Sequence, residues 1–304
     1  MLVLTRTVRL CLNDPPAPPT APADSAQPTK KEGGECVYSG GRNTFSAWPA
    51  MCGLGRYYQV HVTAEGEPDP LTGFLINIKD VDQAVRESVL PYLGSLLPAP
   101  DLPLGEVMRQ VLRLIAPLRP RKPHRRNSRR PPSKLPGVTA VRLDLTPYYS
   151  VGISRRDMSH VLIRQQFEFA AAHRLHMPRL SAAANRRLFD KCNNPAGHGH
   201  NYRLEVAVRA PIGPTGQTLH IETLDAIVDR HAIQALDHKH LNIDVPAFKR
   251  LNPTVENIAK VIFGMLSAPL RRVGAELAEV SVWETSKTVC TYRGRMPAGR
   301  PRGG

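Results

Sequence analysis

The stretch Lys191-Cys192-Asn193-Asn194-Pro195-Ala196-Gly197-His198-Gly199-His200-Asn201-Tyr202 places two histidines two positions apart at the start of an alternating segment. After His198 and His200, apolar residues such as Leu204 and Val206 alternate with charged ones, which is typical of a half-buried strand. Residues i and i+2 of a strand point to the same face, roughly 6.5–7 Å apart. The two imidazoles can therefore converge on one metal ion.

A third histidine, His173, lies upstream in the segment Phe167-Glu168-Phe169-Ala170-Ala171-Ala172-His173-Arg174-Leu175. Three neutral imidazoles that leave a fourth position open form the ligand set of a catalytic zinc site. Zinc is preferred over iron because no carboxylate is evident that would complete a facial triad. The sequence therefore predicts Zn²⁺ held by His173, His198 and His200.

These motifs continue in order along the chain, with LDHKHLN at 236–242, NPTVEN at 252–257 and VWET at 282–285. From about residue 161 to residue 292 the sequence resembles the 6-pyruvoyl-tetrahydropterin synthase family, which includes the 6-carboxytetrahydropterin synthases of queuosine and deazapurine biosynthesis. The resemblance implies the tunnelling fold (T-fold), an α+β unit of order ββααββ with a four-stranded antiparallel sheet and helices on one face. In this fold the units associate into a barrel, and barrels stack in pairs.

The resemblance also implies the catalytic groups. Cys192 would be the general base, because a nearby cation lowers the pKa of a thiol. A fourth ligand in a closed structural zinc site is the alternative for Cys192. Asp237 and His238 would form a proton relay in which the carboxylate stabilises the charged imidazole.

The resemblance assigns Glu284 to the substrate, as the carboxylate that anchors the two-donor edge of a pterin. Thr254 and Glu256 would line the same pocket, although a Thr and a Glu at a helix start are also ordinary helix chemistry. His176 and His240 have no matching role and are interpreted as surface or packing residues.

The implied activity is that of a carbon–oxygen lyase, which converts 7,8-dihydroneopterin triphosphate to 6-pyruvoyl-tetrahydropterin with elimination of triphosphate and no redox cofactor. One alternative is the 6-carboxytetrahydropterin synthase reaction on the same substrate. The five residues between Cys192 and His198 favour the pyruvoyl-forming enzymes weakly. A non-catalytic pterin-binding or scaffold protein is the alternative of another class.

Local patterns predict the elements of the second half: strands at 160–172, 201–210, 276–283 and 287–292, with two helices between the second and third. Thr223 is the predicted N-cap of the first helix. Asn252 and Pro253 are predicted as the N-cap and first residue of the second helix.

The first half shows the same pattern without the site, which predicts a tandem repeat. Leu54 and Arg56 stand where the strand histidines would be, and Leu145 stands in place of Glu284. Cys52 does not have the spacing of Cys192 and is interpreted as a buried apolar residue. The predicted domains are a degenerate T-fold domain at 1–157, a catalytic T-fold domain at 158–297 and a flexible tail at 298–304.

Bulk properties narrow the function classes. The 304 residues suffice for about two domains, and no apolar run is long enough for a membrane span. Five cysteines without a CxxC pair, and the absence of a signal-peptide core, predict a reducing, cytoplasmic location. Much of the formal charge of +15 lies in a basic loop near 118–136, and the same half also contains a Pro-rich insertion near 14–35. We interpret this loop as solvated, because it lacks the aromatic residues of a nucleic-acid site, so nucleic acid is not the expected partner.

An open four-stranded sheet has two unpaired edges, which favours self-association. The resemblance implies rings of three units stacked in pairs. A chain with two units would therefore form a homo-oligomer of three chains, and six chains are the alternative if each half builds its own stacked assembly.

Overall fold

The computed structural model describes residues 1–13, 44–51, 54–97, 101–118 and 137–294. The predictions for the Pro-rich insertion, Cys52, residues 119–136 of the basic loop and the tail at 298–304 lie outside the described residues. The chain divides into two compact units, Met1–Pro147 with Gly152–Met158, and Tyr148–Val151 with Ser159–Gly304.

The first unit contains two strands, then helices, then a third strand. In chain order these are β1 (Leu2–Leu12), β2 (Arg56–Gly66), α1 (Ile78–Ala84), a π-helical segment (Val85–Val89), α2 (Leu90–Ser95), α3 (Leu104–Ile115) and β3 (Gly137–Asp144). The strand β4 (Tyr149–Ser154) follows at the boundary. Both β1 and β3 pair antiparallel with β2. Fully buried apolar residues such as Val8 and Val60 on the strands and Met108 on α3 form the core.

The second unit contains strands at both ends of its sequence, with helices between them. Its elements are β5 (Asp157–His173), α4 (Ala182–Phe189), a 3-10 turn (Asp190–Asn193), β6 (His198–Pro211), α5 (Ile221–Val228), a π-helical segment (Asp229–Ile233), α6 (Gln234–Leu236), β7 (Lys239–His240), α7 (Leu241–Asp244), a 3-10 turn (Pro246–Phe248), α8 (Val255–Arg272), β8 (Glu276–Thr285) and β9 (Thr288–Tyr292). The four predicted strands are confirmed, with ends that differ by a few residues. The mixed helix and antiparallel-sheet architecture agrees with the predicted α+β class.

Periodic apolar residues explain how this unit packs. On β6, Leu204, Val206 and Val208 are fully buried at alternate positions. On α8, the buried residues recur every four positions, which places them on one face of the helix; they are Ile258, Ile262, Leu266 and Leu270. This face packs against β8 and β9, so α8 covers that side of the sheet.

Both predicted helix starts were wrong. The helix α5 begins at Ile221, and its N-cap is His220 rather than Thr223. The helix α8 begins at Val255, and its N-cap is Thr254, whose side chain accepts a hydrogen bond from the backbone N–H of Asn257. In the segment Asn252-Pro253-Thr254 the competing signal was a threonine two residues further on, which is also a favourable N-cap.

A short parallel strand is one of the elements that the sequence pattern did not predict. The two residues of β7 pair with β5, with Ala171 opposite Lys239 and Ala172 opposite His240. Two residues carry no periodicity, so this pairing has no sequence signal of its own. It is nevertheless the contact that brings the segment 237–240 to the end of β5.

None of the helices in the described part of the chain is both long and apolar enough to cross a membrane. Among the residues that the structure describes, Cys11, Cys192 and Cys290 form no disulfide.

Candidate metal centre and active site

The three predicted ligands meet at one end of the sheet of the second unit. Antiparallel pairing puts His173, the last residue of β5, opposite His198, the first residue of β6. His200 follows two residues later on the same face, and one nitrogen from each ring lies within 4.8 Å of the others. The Nε2 atoms of His173 and His198 are 3.1 Å apart. This is close to the roughly 3.3 Å that separates two nitrogens bound to one tetrahedral zinc.

The ring of His173 is held in the tautomer that a metal ligand needs. Its Nδ1 lies 2.7 Å from the carbonyl oxygen of Pro253, which can only accept, so Nδ1 donates and Nε2 presents its lone pair to the cluster. Burial, followed by the neighbouring imidazoles, lowers the pKa of His173 to about 4. His173 is therefore neutral at pH 7, as metal coordination requires.

The other two histidines carry buried atoms without partners. His198 Nδ1 and His200 Nε2 are both buried and make no hydrogen bond. Burial and the proximity of His200 lower the pKa of His198. Buried polar atoms are nearly always satisfied in folded proteins. The buried, unsatisfied Nε2 of His200, in the same cluster as the Nε2 atoms of His173 and His198, therefore fits a metal ion that would occupy the space between the rings.

Glu284, near the end of β8, lies beside the histidines. Its Oε1 is 3.5 Å from His173 Nε2 and 3.8 Å from His200 Nε2. Glu284 thus places a carboxylate next to the three histidines. Iron is therefore not disfavoured by the lack of a carboxylate. The preference for zinc rests on the three imidazoles alone.

Cys192 lies in the 3-10 turn that precedes β6. Its carbonyl oxygen accepts a 2.8 Å hydrogen bond from the N–H of Leu175, which ties this turn to the residues that follow His173. Burial, then the carboxylates of Glu284 and Asp190, raise the pKa of the Cys192 thiol. The protein groups by themselves therefore favour the thiol, and a nearby cation would act in the opposite direction.

A set of asparagine side chains fixes the chain around His173, and the sequence motifs did not predict this role. Asn242 Oδ1 accepts from the N–H of Arg174 at 2.8 Å, while its Nδ2 donates to the carbonyl of Arg174 at 3.0 Å. The Arg174 guanidinium in turn donates to the carbonyl and side-chain oxygens of Asn193, next to Cys192. Arg174 thereby links the first metal ligand to the turn that carries the cysteine.

Asp237 and His238 form the hydrogen-bonded pair that the sequence predicted. Asp237 Oδ2 lies 2.8 Å from His238 Nδ1, and Asp237 Oδ1 accepts a 2.7 Å hydrogen bond from the N–H of Ala170. These two bonds, the backbone one first, lower the pKa of Asp237. The ionised carboxylate keeps the proton on Nδ1 and leaves Nε2 available for proton transfer. The His238 side chain is 83% exposed, so a substrate can reach it.

His238 adopts a backbone conformation that is uncommon for a residue with a side chain. Its φ of 54° lies in the left-handed region. Its N–H donates to the carbonyl of Ala170 at 2.6 Å, which holds the turn against β5. Such strained residues concentrate at functional sites because the surrounding structure must enforce them.

An open cleft of about 460 Å³ joins this pair to the histidine cluster. It is lined by Ala170, Ala171, Ala172, Gly199, His200, Asn201, His238, Lys239 and His240. The cleft therefore contains one predicted metal ligand and one member of the predicted relay. Cys192, Thr254, Glu256 and Glu284 do not line it.

Thr254 and Glu256 make the contacts expected of a helix start. Thr254 is the N-cap of α8. The pKa of Glu256 is lowered, and the largest cause is a hydrogen bond from the Thr254 side chain. A role for either residue in substrate binding stays a prediction. The start of α8 nevertheless approaches the histidine cluster, because the carbonyl oxygen of Pro253 accepts a hydrogen bond from the His173 ring.

His240 lies within the site, whereas the sequence suggested an ordinary surface or packing residue. A Cβ added to Gly197 would be 2.7 Å from His240 Nε2, so a glycine is required for the imidazole to pack there. Gly197 also has a φ of 75°, which favours glycine for a second reason. His176 is held by Asn193, whose Oδ1 lies 3.0 Å from its Nδ1.

Comparison with known proteins places the second unit in a family. The profile of the family described as 6-pyruvoyl tetrahydropterin synthase matches residues 162–295. The 6-pyruvoyl tetrahydrobiopterin synthase of Drosophila melanogaster is 43% identical over 130 residues, which cover 42% of this chain and 77% of the relative. The enzyme of the same name from Homo sapiens is 41% identical over 133 residues, which cover 43% of this chain and 90% of the relative.

This chain belongs to the 6-pyruvoyl tetrahydropterin synthase family. The resemblance seen in the sequence motifs is thereby confirmed. A solved structure of the Caenorhabditis elegans 6-pyruvoyl tetrahydropterin synthase is 36% identical and covers 45% of this chain and 96% of its own, with a TM-score of 0.42. The residues matched to the 6-pyruvoyl tetrahydropterin synthase family lie in the second half of the chain, where the histidine cluster is found.

We expect the metal-free protein to lose stability as the pH falls from about 6.5 to about 4. His173 has a lowered pKa of about 4 in the folded protein against an ordinary value of 6.5, so in this window the unfolded chain binds a proton that the folded protein does not. The free energy of unfolding should therefore decrease across the window, measured by urea denaturation of chelator-treated protein at a series of pH values. His173→Gln should reduce the decrease, whereas His231→Gln, a control on the helical segment, should not. An identical pH dependence in both variants would contradict this explanation.

Proposed function

We propose that the chain is a zinc-dependent lyase of the 6-pyruvoyl tetrahydropterin synthase type, which acts on 7,8-dihydroneopterin triphosphate and eliminates triphosphate. The single observation that carries the proposal is the cluster of His173, His198 and His200, one member of which, His200, lines the same cleft as His238. The names of the relatives that are 41–43% identical support the same activity.

His173, His198 and His200 would hold the zinc ion. When bound, zinc supplies a Lewis acid that lowers the pKa of a C–H next to a coordinated hydroxyl. Pro253 and the asparagine contacts keep the His173 ring oriented for this role. Glu284 stands beside the ligand set and lies within electrostatic reach of Cys192, since its charge contributes to the raised pKa of that thiol.

The protein groups divide the proton transfers. Cys192 would accept the proton removed from the substrate side chain, and triphosphate leaves with the electron pair of the broken C–O bond. His238, with Asp237 fixing its Nδ1–H, would return a proton to the oxygen or carbon that needs it as the side chain rearranges. The side-chain oxidation and the ring reduction occur within one molecule, so no external oxidant or reductant is required.

Glu284 would fix the substrate by accepting two hydrogen bonds from the 2-amino group and the ring N–H of the pterin. Its carboxylate is 23% exposed and therefore reachable. In this arrangement the ring is anchored next to the ligand set, so the side chain of the substrate projects toward the metal ligands. Thr254 and Glu256 would contribute from the start of α8.

The first half of the chain would be a degenerate copy of the second. In both units, the first helix after the second strand continues directly into a π-helical segment. This segment is Val85–Val89 in the first unit and Asp229–Ile233 in the second. The π-helix is rare, so its recurrence at the same place supports duplication. Within the described ranges, three side chains lie close enough together to hold one metal ion, and all three belong to the second unit.

Duplication would also shape the assembly. If three units close a ring and two rings stack, three chains supply all six units, and the first-half units act as structural partners. Six chains would be needed if each half formed its own stacked assembly. Light scattering at several protein concentrations separates these cases, and a fully active monomer would contradict both.

We expect one zinc ion per chain, bound by the second half alone. Leu54 and Arg56 of the first half offer no ligand, and Leu54 is 97% exposed. Metal analysis of the purified protein should give a ratio near one. His198→Ala should reduce the ratio strongly, and the control His231→Gln should leave it unchanged. Two ions per chain would contradict the assignment.

Turnover of 7,8-dihydroneopterin triphosphate tests the activity, with Cys192→Ala as the critical variant. The wild-type product, identified by mass spectrometry, should be 6-pyruvoyl-tetrahydropterin with released triphosphate. Because the general base is removed, Cys192→Ala should retain zinc and lose about 10²–10⁴-fold in rate. Cys290→Ala, the control in the same unit, should remain active.

Other results of this assay have definite meanings. A 6-carboxytetrahydropterin product with acetaldehyde would identify the protein as a 6-carboxytetrahydropterin synthase. No turnover at all would favour a non-catalytic pterin-binding or scaffold protein. Loss of zinc in Cys192→Ala would identify the thiol as a ligand rather than the base.

We expect Glu284→Gln to weaken substrate binding more than folding. Charge-assisted hydrogen bonds are worth about 1.5–3 kcal/mol each, so the Michaelis constant should rise about tenfold or more. Glu276→Gln, at the other end of the same strand, serves as the control and should leave the constant unchanged. An unaltered constant in Glu284→Gln would remove this carboxylate from the substrate site.

A further inference from the structure

A second cavity lies at the other end of the same sheet. It has a volume of about 820 Å³ and is bounded by the start of β5, the end of β6, the C-terminus of α8, the start of β8 and the residues after β9. His160, which lines it, is separated from the metal ligand His173 by thirteen residues of one continuous strand, or about 40 Å. The two cavities are therefore independent sites.

Positive charge dominates the lining of this cavity. Three guanidinium groups, those of Arg209, Arg271 and Arg293, face one carboxylate, that of Glu276. Arg209 is held in place, since it donates to Glu276 Oε2 at 3.2 Å and to His160 Nδ1 at 3.0 Å. A guanidinium fixed in this way can bind a ligand without first losing side-chain freedom.

The other two arginines retain donors for a ligand. Arg293 donates through Nε to Glu279 at 2.9 Å, which occupies one of its five N–H groups. The guanidinium of Arg271 has no hydrogen bond or ion pair among the described residues. Arg271 is thus an uncompensated cation on the wall of a preformed cavity.

The remaining wall is apolar and well fixed. Phe263 packs edge-to-face against Tyr292, with ring centroids 5.1 Å apart, and Leu277 is almost fully buried. A Cβ on Gly294 would lie 2.8 Å from the Phe263 ring, so only glycine lets the chain pass there. The cavity therefore combines a rigid apolar wall with a cationic rim.

The C-terminus of α8 borders the cavity, and its last turn is capped. The last carbonyls of α8 are capped by backbone N–H groups, with bonds of 3.1 Å from Val273 to Leu270, 3.0 Å from Gly274 to Arg271 and 3.0 Å from Ala275 to Leu270. These carbonyls are satisfied within the turn rather than presented to the cavity.

We propose that this cavity is a second ligand site, which binds a small phosphorylated compound with an aromatic ring, such as a nucleoside triphosphate. Its volume is within the range of small-molecule sites. Guanidinium groups recognise phosphate oxygens through paired hydrogen bonds, and three of them suit a chain of phosphates. The apolar wall at Phe263 and Leu277 accommodates the ring.

Isothermal titration of the full-length protein with ATP tests the proposal, with Arg271→Ala compared with Arg272→Ala. Arg272 is the matched control because it is the adjacent exposed arginine and does not line the cavity. Arg271→Ala should weaken ATP binding about tenfold or more, because a charge-assisted contact is lost. Arg272→Ala should bind as the wild type does. Adenosine alone and tripolyphosphate alone should each bind more weakly than ATP.

A third variant separates this cavity from the metal centre. His200→Ala should bind ATP as tightly as the wild type, because its site lies at the opposite end of the sheet. The proposal is overturned if ATP does not bind, if both arginine variants lose affinity equally, or if His200→Ala abolishes binding. It is also overturned if tripolyphosphate binds as tightly as ATP, since surface charge alone would then explain the affinity.

Discussion

The antiparallel register between β5 and β6 is the constraint on which the site depends. Because His173 lies opposite His198, and Ala171 opposite His200, the imidazole of His173 shares one face at one end of the sheet with the two imidazoles of a later strand. A shift of one residue would turn His173 to the other face and separate the ligands. Fully buried residues on the same face of β6, such as Leu204 and Val206, oppose that shift because it would expose them. The packing of the core thus fixes the metal centre.

The strand register alone does not orient the imidazole rings. Hydrogen bonds from the surrounding residues do so. The carbonyl of Pro253 selects the tautomer of His173, while Asn242 and Asn193 hold Arg174 from two sides. Removing a single partner would leave buried polar groups unsatisfied, which costs more than the hydrogen bond itself contributes. The site is therefore held by a connected set of contacts, with residues from β5, the turn before β6, α7 and the start of α8.

The two ends of this sheet have different chemistry. At one end, burial and mutual repulsion lower the pKa of His173 and His198, and a carboxylate stands beside them. At the other end, guanidinium groups exceed carboxylates around a cavity with an apolar wall. Long strands make this separation possible, because residues at opposite ends of β5 are too far apart to influence each other through a screening solvent.

The sequence alone predicted the strands of the second unit and the three histidines that meet at one end of its sheet. Alternation on β6 identified a half-buried strand, and the positions of His198 and His200 on it predicted a shared face. The family resemblance added the roles of Cys192, Asp237, His238 and Glu284, of which the structure brings the Asp237–His238 pair into contact. These features lie within short segments of the sequence. Predicting them therefore required no knowledge of which distant segments pack together.

Only the tertiary structure decided how the blocks meet. The two-residue strand β7, which draws His238 and His240 to the end of β5, is too short to have a periodicity. The placement of Glu284 beside the histidines depends on the pairing of β6 with β8, and the role of Asn242 depends on a contact with residues 68 positions away. The contact of the His173 ring with the carbonyl of Pro253, just before the N-cap Thr254 of α8, likewise joins segments that are far apart in sequence. Such contacts arise from chain segments that pack together without any pattern shared between them, and a single sequence carries no direct record of that packing.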